Sequence, residues 1–550
     1  MVETESGVKR SQEILPTALL ILLAFFIRAH SIQALPPFND ESLHIRRAEL
    51  IYKFTDRNLN MTLGKLLSYY WIGLFHPARL DAILVGRTAS ALFALLGLAA
   101  AYSTARLLFG RIGGWVTLVL ASFSPFMIFF DRLALSDGLT AALGMLVIWA
   151  SLLMMRRASC DKRCPLAIWA GTLSGLVIIS KLLGLPMAGV PLVAVLTLNC
   201  QRVIRLNLAS LRQTLRIHQG KLTTVYITFG LVMLPFIWHI ADRTITGKYV
   251  NVVNNNLING AAEEKSPPQV LIDNLSSLWT ANQVLHGSIL WILTLVGAAY
   301  VLWKRPREGS YLILSTLLAW SMSLVFAADL STRYLTLGVL PSLVILGGAV
   351  SLTIQEAAKI NIEKPSLPFS MPERGAIAVL LVWLVWIPLP FINHTWNDPT
   401  KLHLPEADQW EYFGNFGSGY ALVEAARDVE NLPRSEPSGR VQVIGLVGSC
   451  HQIRLYLDEH GPVKLECPFF GWQGEFMQDV ANLIDERAAE ESTVYLLVEP
   501  ELRFTDLSML HVGWELIHRY PRPFNGMAVE LWRVYPNLPQ SRERDTPIAE

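Results

Sequence analysis

Long apolar runs, separated by short polar segments, occupy the first 396 residues of the chain. Most of these runs approach the ~20 residues that an α-helix needs to cross a bilayer. The pattern therefore predicts a mainly α, polytopic membrane protein with about eleven transmembrane helices. The runs lie near residues 12–32, 83–109, 113–130, 138–155, 165–181, 185–200, 223–241, 287–303, 310–327, 334–354 and 375–394.

The Lys and Arg residues between the runs indicate how the chain is oriented. If the N-terminus is cytoplasmic, most cations fall in the inside loops, for example at 156–163, 202–221 and 304–307, and the later outside loops hold few. This positive-inside bias predicts a cytoplasmic N-terminus and an odd number of spans. The first outside loop is an exception, because it is basic as well as acidic, and this suggests that it binds an anion.

The N-terminal segment has two interpretations. Lys9 and Arg10 precede an apolar run, as they would in a signal peptide. The run is long, however, and its small-residue cleavage pattern is poor, so we expect an uncleaved first transmembrane helix.

Two outside segments are long, and the composition changes after the last span. Residues 33–82 form the first outside loop, in which LGKLLSYYWIGLF predicts an amphipathic helix lying on the membrane. Residues 242–286 form another outside loop. We predict a transmembrane domain over 1–396 and a separate external α/β domain over 397–550, which has no run of membrane length. Its strand-like runs are RVQVIGLVG, PVKLECPFF, STVYLLVEP and MAVELWRVYP, and its helical runs are GYALVEAARDVENL and EFMQDVANLIDERAAEE.

The amino-acid composition narrows the class of protein further. Charged residues make up 17% of the chain and hydrophobic residues 52%, whereas soluble proteins carry about 25% charged residues. The net charge of +1 gives no global field that favours nucleic acid. Five cysteines without a CxxC motif exclude a common zinc module. Cys450 and Cys467 fall in the external domain, where oxidation can occur, and the sequence does not decide whether they form a disulfide. Cys160, Cys164 and Cys200 are expected to be free thiols on the cytoplasmic side.

Four groups of charged and polar residues lie at predicted external ends of spans. Charges at the membrane boundary cost less than charges at its centre, but they still tend to face protein or water rather than lipid. Because all four groups lie on one side of the membrane, we expect them to share an external cavity. The groups are Asp40, Glu41, His44 and Arg47; Asp131, Arg132 and Asp137; Lys181; and Asp329, Arg333 and Tyr334.

Each of these residues also has a structural interpretation that needs no ligand. Their occurrence together on one side of the membrane favours function, but the sequence leaves both interpretations open. The alternatives are capping by Asp40 of a helix that begins near Ser42, capping by Asp137, a local Asp131–Arg132 salt bridge, snorkelling of Lys181, an interfacial anchor at Arg333, and simple packing of His44.

A carboxylate and separate cations at the outer membrane boundary can serve the acceptor and the leaving group of one reaction, glycosyl transfer from a lipid phosphate. The acceptor hydroxyl loses a proton as it attacks the anomeric carbon, and a carboxylate within hydrogen-bond reach can take that proton as a general base. The departing lipid phosphate gains negative charge. Arg stabilises this charge by bidentate contacts and Lys by its point charge.

The motifs around these residues resemble those of the GT-C superfamily of membrane glycosyltransferases. They are most similar to the glycosyltransferase family 39-like branch, which contains the protein O-mannosyltransferases and the bacterial aminoarabinose transferase of lipid A. The resemblance covers about residues 12–430. The matching segments are the pair Asp40-Glu41, FFDRLALSDGLTAAL, SKLLGLP, STRYLTLGVLPSLVILGG, and LPEADQWEYFGNFGSGYALVEAA after the last span.

The resemblance implies a polyprenyl-phosphate sugar donor, transfer on the external face of a prokaryotic cell membrane, and inversion at the anomeric carbon. It implies that Asp40 is the catalytic base and that Glu41 supports it or binds the acceptor. Asp137 would orient Arg132 or close the N-terminus of the fourth span. The implied donor-phosphate contacts are Arg132, Lys181 and Arg333.

The resemblance has limits, and other functions remain as alternatives. The multiple acidic motifs of the metal-dependent oligosaccharyl branch have no close match; Asp40, His44 and Asp131 could ligate a divalent cation, but we assign no metal site. The external domain does not resemble the β-trefoil of eukaryotic protein mannosyltransferases, so the acceptor could be a protein, lipid or glycan. A transporter or flippase for a lipid-linked or anionic substrate is the main alternative, although no internal repeat is present and the ionisable residues lie at span ends. A structural or sensory membrane protein is a third interpretation.

Overall fold

The chain forms two compact units. The first contains Met1–Ala34 and Arg47–Pro405, and the second contains Leu35–Arg46 and Glu406–Glu550. The sequence placed the boundary at residue 397 and assigned the Asp40 segment to the transmembrane domain, whereas the structure groups that segment with the C-terminal residues. The computed structural model describes residues 7–55, 65–77, 81–156, 165–198, 208–245, 266–327, 330–360, 371–432, 441–457, 461–468, 478–490, 494–502 and 510–535.

Helices make up the first unit, and α2 contributes its beginning to the second unit. In chain order the helices are α1 (Gly7–Ala29), α2 (Asn39–Ile51), α3 (Leu66–Gly73), α4 (Ala82–Phe123), α5 (Pro125–Asp131), α6 (Ser136–Arg156), α7 (Pro165–Ser180), α8 (Val190–Leu198), α9 (Leu208–Ile217), α10 (Gln219–Ile245), α11 (Pro267–His286), α12 (Ser288–Lys304), α13 (Pro306–Phe326), α14 (Thr336–Ile360), α15 (Met371–Trp386) and α16 (Pro388–Asn397). Short 3₁₀-helices cover Leu182–Gly189, Thr332–Leu335 and Pro399–Lys401.

Each of the eleven predicted apolar runs coincides with helical structure. Among the described residues, six helices are long and apolar enough to cross a membrane, or seven if one bent pair counts as a single span. This count is lower because α4 contains two of the predicted runs, because α7 and α8 are short, and because α1 is not among the helices counted. The chain is therefore a multi-pass, mainly α membrane protein, as the apolar pattern predicts.

The chain reverses direction inside α4, at Gly110. This residue has φ 84° and ψ −170°, a backbone conformation that is essentially restricted to glycine. Tyr102 and Trp115 lie on opposite sides of the turn, and their ring centroids are 6.1 Å apart. Thirteen residues along a straight helix would separate them by ~20 Å. The two arms of α4 therefore fold back on one another as a helical hairpin, which gives the two predicted runs.

The segment predicted to be an amphipathic helix on the membrane surface is a short buried helix instead. Within α3, Leu66, Ser68, Tyr69 and Ile72 are buried, and the helix has no exposed residue. Leu66 and Tyr69 pack into one apolar cluster with side chains of α7 and α10. An interfacial helix needs a polar face in water, and α3 lacks one because helices cover it.

The outside loop predicted over 242–286 contains a helix. Residues 246–265 lie outside the described part of the chain, but α11 fills the rest of the loop and meets α12 at a bend of 117°. The Asn274 side chain on α11 donates to the carbonyls of Leu324 and Ala327 at 3.0 and 2.9 Å. It thereby satisfies free carbonyls at the end of α13.

The second unit contains an α/β fold, as predicted. Its strands are β1 (Val441–Leu446), β2 (Val463–Glu466), β3 (Val494–Val498), β4 (Gly513–Arg522) and β5 (Gly526–Tyr535), and its helices are α17 (Glu406–Gln409), α18 (Leu422–Glu430), α19 (Cys450–Arg454) and α20 (Gln478–Glu490). The strand order is β2-β1-β3-β5-β4. Strands β1, β2 and β3 run parallel, whereas β5 is antiparallel to both β3 and β4.

Both faces of this sheet are covered. Val441 and Val443 of β1 pack in a cluster with α18, whereas Ile444 and Leu446 pack in a cluster with α20. A strand buried on both faces is hydrophobic throughout, and the run VQVIGL therefore identifies β1. The hairpin partner β4 was not predicted, because residues 515–519 are exposed and include charged side chains.

Cys450 and Cys467 form a disulfide, with their Cα atoms 6.3 Å apart. This bond joins the start of α19 to the residue that follows β2, and it settles the pairing that the sequence left open. Cys160, Cys164, Cys200 and Asp329 lie outside the described residues.

Candidate active site

Lys181 and Asp137 form an ion pair that the sequence did not predict, although it named both residues. Asp137 lies in the first turn of α6, where the helix N-terminus favours negative charge. Lys181 separates α7 from the 3₁₀-helix at Leu182–Gly189, and its Nζ lies 2.5 Å from Asp137 Oδ1. The side chains are 13% and 3% exposed. Asp137 therefore pairs with Lys181 and does not orient Arg132.

The Tyr334 ring joins this pair to Arg333. Lys181 Nζ lies 4.3 Å from the ring centroid, and the Arg333 guanidinium carbon lies 5.3 Å from it. Both distances are in the range of cation–π contacts. We call Asp137, Lys181, Arg333 and Tyr334 the cation cluster; it contains two cations and one carboxylate.

Backbone contacts hold the Arg333 segment in place. The 3₁₀-helix Thr332–Leu335 exposes its carbonyls to α13 and α14. Trp320 Nε1 donates to Leu335 O at 2.9 Å, and Ser323 Oγ donates to Tyr334 O at 3.0 Å. These bonds satisfy buried carbonyls, and they fix the backbone from which Arg333 and Tyr334 project.

Asp131 pairs with a residue more than one hundred positions away, not with its neighbour Arg132. Asp131 Oδ2 accepts a hydrogen bond from Arg28 Nε at 2.9 Å, and both side chains are buried. Arg28 also donates to the carbonyls of Ala24 and Ser122, both at 3.1 Å. The local Asp131–Arg132 salt bridge considered above is therefore wrong. Arg28 lies inside the first apolar run, and a lone Arg there is the signal that could have identified it.

Gly138 leaves room for the Asp131 carboxylate. A Cβ atom at Gly138 would lie 2.9 Å from Asp131 Oδ1, closer than carbon and oxygen atoms approach without strain. The glycine in the motif SDGL therefore allows α6 to begin beside the Arg28–Asp131 pair.

Arg132 binds the C-terminal end of α1. Its Nη1 donates to the carbonyls of Ile27, Arg28 and His30 at 3.1, 2.9 and 2.8 Å, and its Nη2 donates to Ser31 O at 2.7 Å. The last carbonyls of a helix lack partners within the helix, and a cation suits that end of the dipole. The structure therefore gives Arg132 a capping role.

Asp40 and Glu41 occupy the first turn of α2, and they differ in their environment. Glu41 is buried, and its Oε2 accepts a hydrogen bond from the Phe38 backbone N–H at 2.9 Å. This is the bond that a glutamate at the third helical position makes in a capping box. Asp40 is the second residue of α2 and is partly exposed. The helix begins at Asn39, so the predicted capping by Asp40 of a helix starting near Ser42 is wrong.

His44 and Arg47 follow on the same helix. The His44 side chain is 1% exposed and belongs to the second unit. Arg47 belongs to the first unit, where its Nη1 donates to the Tyr69 hydroxyl at 2.8 Å. The cations Lys181 and Arg333 also belong to the first unit. A cavity shared by all the predicted site residues stays a prediction.

The described residues contain no group of three or more His, Cys, Asp and Glu side chains that could hold a metal ion. In the cation cluster the one carboxylate is already paired with Lys181.

The fold is similar to that of solved membrane glycosyltransferases. ArnT from Cupriavidus metallidurans in the apo state aligns with a TM-score of 0.61 and 13% identity, over 95% of this chain and 98% of that chain. The same protein bound to undecaprenyl phosphate aligns with a TM-score of 0.58 and 12% identity, with the same coverage.

The archaeal oligosaccharyltransferase AglB from Archaeoglobus fulgidus, in complex with an inhibitory peptide and a dolichol-phosphate, aligns with a TM-score of 0.50 and 13% identity, over 90% of this chain and 70% of that chain. A further structure of the A. fulgidus oligosaccharyltransferase is a complex with Zn and sulfate.

No protein-family model matches the sequence, and no curated protein sequence matches it. The structural matches cover nearly the whole chain, and the proteins matched are GT-C glycosyltransferases, in agreement with the sequence motifs. The chain is a multi-pass membrane protein with the fold of the GT-C glycosyltransferases.

Proposed function

We propose that this protein transfers a sugar from a polyprenyl-phosphate donor to an acceptor hydroxyl on the external face of a prokaryotic cell membrane. The N-terminus would be cytoplasmic and the second unit external, in line with the positive-inside bias. ArnT binds undecaprenyl phosphate and AglB binds a dolichol-phosphate in their solved structures, which supports a lipid phosphate as the donor's carrier.

The cation cluster is the observation that carries this proposal. Its residues come from three separated segments, at the start of α6, after α7 and before α14, and all lie at ends of apolar helices. Lys181 and Arg333 are partly exposed. A lipid phosphate has its charge at the membrane boundary and its hydrocarbon chain in the bilayer. Cations at the membrane boundary can therefore bind the phosphate while its chain stays in the bilayer.

In the proposed reaction, the acceptor oxygen forms a bond to the anomeric carbon from the face opposite the phosphate. The bond between that carbon and the phosphate oxygen breaks, and the lipid phosphate leaves with the electron pair. Asp40 takes the acceptor proton as general base. Arg333 and Lys181 stabilise the phosphate charge, Arg333 through the planar guanidinium that suits bidentate contacts and Lys181 through its point charge.

The other predicted residues take supporting roles in this proposal. Glu41 fixes the N-terminus of α2, and Arg132 fixes the end of α1. Tyr334 keeps the two cations of the cluster in position. We assign no residue to a metal, because the described residues contain no group of three or more His, Cys, Asp and Glu side chains that could hold one. Zinc is present in one structure of the archaeal oligosaccharyltransferase.

The acceptor is proposed only as a hydroxyl of a protein, lipid or glycan. Acceptor peptide has been tethered in the archaeal oligosaccharyltransferase, and the cation cluster carries no information on acceptor class. Nucleic acid is not expected, since the net charge is only +1.

Purified full-length protein incubated with a panel of labelled polyprenyl-phosphate sugars and candidate acceptors tests the proposal. We expect label transfer with at least one donor, and loss of transfer in Asp40→Asn, which removes the base at nearly constant volume. Asp479→Asn is the matched control, because Asp479 is the second residue of α20 as Asp40 is of α2. Transfer by Asp40→Asn at the wild-type rate would remove Asp40 from its role. Movement of the labelled lipid between leaflets without sugar transfer would favour a flippase.

A further inference from the structure

A buried glutamine in the second unit binds the backbone beside the proposed catalytic base. Gln452 lies in α19 and is fully buried. Its Nε2 donates to Pro37 O and to Gly417 O, both at 2.8 Å. The two acceptors are far apart in the chain, so a single side chain joins the segment before α2 to the loop before α18.

The orientation of the amide follows from its partners. Both acceptors are carbonyl oxygens, which can only receive hydrogen bonds, so the NH₂ group must face them. Each N–H of the amide then serves one carbonyl. A carboxylate at this position would place a negative oxygen against two carbonyl oxygens and would repel both.

The same backbone segment is fixed from other sides. Asn39 N donates to Gly417 O at 2.8 Å, so that carbonyl receives hydrogen bonds from both Gln452 and the first residue of α2. The Phe38 ring lies 4.8 Å from the Tyr412 ring, and the Phe38 N–H binds Glu41. The position of the first turn of α2, and thus of Asp40, is therefore determined by contacts with Tyr412, Gly417 and Gln452 of the same unit.

The disulfide ties α19 to the sheet. Cys450 is the first residue of α19, two residues before Gln452, and its partner Cys467 directly follows the β2 region. α19 has only five residues, which is too short to be stable without external contacts. The disulfide closes a loop with a sequence separation of 17 residues, and such a loop stabilises the folded state by limiting the conformations of the unfolded chain.

We propose that Gln452 is a positioning residue for the proposed base. By donating hydrogen bonds to the Pro37 and Gly417 carbonyls, it orients the first turn of α2 so that the Asp40 carboxylate reaches the acceptor hydroxyl. The Cys450–Cys467 bond fixes α19, the helix that contains Gln452. This inference rests on the proposed function for its catalytic consequence. The structural part of the inference, that Gln452 of α19 fixes the backbone of residues 37–41, does not depend on that function.

The test compares Gln452→Glu with Gln442→Glu in the full-length protein. Gln442 is a matched control because it is also a buried glutamine of the second unit, with its Nε2 donating to Glu466 Oε2 at 3.0 Å. It lies on β1 and makes no such bond to residues 35–46. Both substitutions place a carboxylate in a buried polar site, so both are expected to destabilise the unit. Gln452→Ala, which removes the two bonds without adding a charge, provides a second variant if Gln452→Glu does not fold.

Two readouts separate positioning from general stability. We expect kcat of Gln452→Glu to fall by about 10- to 100-fold, since a displacement of the base of ~1 Å has an effect of that size, while the KM for the lipid donor is unchanged. Hydrogen exchange of the amides of residues 38–43 should accelerate in Gln452→Glu and Gln452→Ala but not in Gln442→Glu. Reduction of the disulfide should produce the same pattern as the Gln452 variants.

The inference is overturned if Gln452→Glu and Gln442→Glu lower kcat equally, or if residues 38–43 exchange at the wild-type rate in both Gln452 variants. Failure of the proposed function gives a different result. In that case the wild-type protein transfers no sugar and Asp40→Asn changes nothing, whereas the exchange measurement still decides whether Gln452 holds the segment.

Discussion

The Lys181–Asp137 pair allows a structural role to be separated from a role in donor binding. Lys181→Met removes the charge and keeps most of the side-chain volume. It leaves the Asp137 carboxylate, which is 3% exposed, without its cation. Breaking a buried ion pair by removing one partner costs about 3–5 kcal/mol of folding free energy, because a buried charge is left uncompensated. We therefore expect a clear fall in the thermal unfolding midpoint.

Asp137→Asn, added to Lys181→Met, tests the origin of this loss. The double variant has no buried charge left unpaired, so most of the lost stability should return. Donor binding should not return, because a neutral pair offers the lipid phosphate no cation. Hydrogen bonds to charged groups contribute about 1.5–3 kcal/mol, which corresponds to a 10- to 100-fold loss in donor affinity.

The assay follows both quantities on the same samples. Sixteen Trp residues give a strong intrinsic fluorescence signal for unfolding in nanodiscs, and a polyprenyl phosphate titration gives donor affinity. Wild type, both single variants and the double variant complete the cycle. If donor affinity recovers together with stability in the double variant, Lys181 serves only as the partner of Asp137 and its assignment to the phosphate is refuted.

Three further predictions address other parts of the molecule. Arg333→Ala should raise the donor KM by about 10-fold or more and leave the acceptor KM unchanged. Arg333→Lys should restore part of the donor binding. Equal changes in both KM values would contradict a phosphate contact. Gly138→Ala should destabilise the protein by ~1–3 kcal/mol, because its Cβ meets the Asp131 carboxylate. Gly230→Ala should not, because no atom outside its own stretch of helix backbone lies within 4 Å of its Cβ. Similar unfolding midpoints for the two variants would count against the close contact at Gly138. Burial raises the pKa of Tyr520 above its ordinary value of 10.0, so the folded state keeps a proton that the unfolded state releases, and the second unit should lose stability as the pH rises above about 10. Tyr520→Phe should remove this pH dependence in unfolding measurements between about pH 9 and 11, and an unchanged dependence would assign it to another group.

The helical part of the fold could be predicted because a bilayer imposes a length and an apolar composition on each span. The hairpin at Gly110 agrees with two adjacent apolar runs. In contrast, α3 was predicted to lie on the membrane because its own sequence does not reveal the helices that cover it. The strand β4 was missed because an edge strand with exposed residues lacks the apolar run that identifies β1.

The candidate site could be predicted as a set of residues but not as a set of pairs. The sequence located Asp131, Asp137 and Lys181 at span ends, because charged residues interrupt apolar runs. It could not show that Asp131 pairs with Arg28 or that Asp137 pairs with Lys181, since both pairings depend on helix packing. Arg28 was overlooked because its neighbours are apolar and its partner lies 103 positions later.

The assignment of residues 35–46 to the same unit as residues 406–550 has a consequence for engineering. A chimera that exchanges only the C-terminal residues would bring a foreign surface to the loop at Pro37 and would discard the native Gly417 and Gln452 partners. A functional graft must therefore carry both pieces of chain, although some 360 positions separate them. A chimera that exchanges both pieces together keeps the Pro37, Gly417 and Gln452 contacts within one parent.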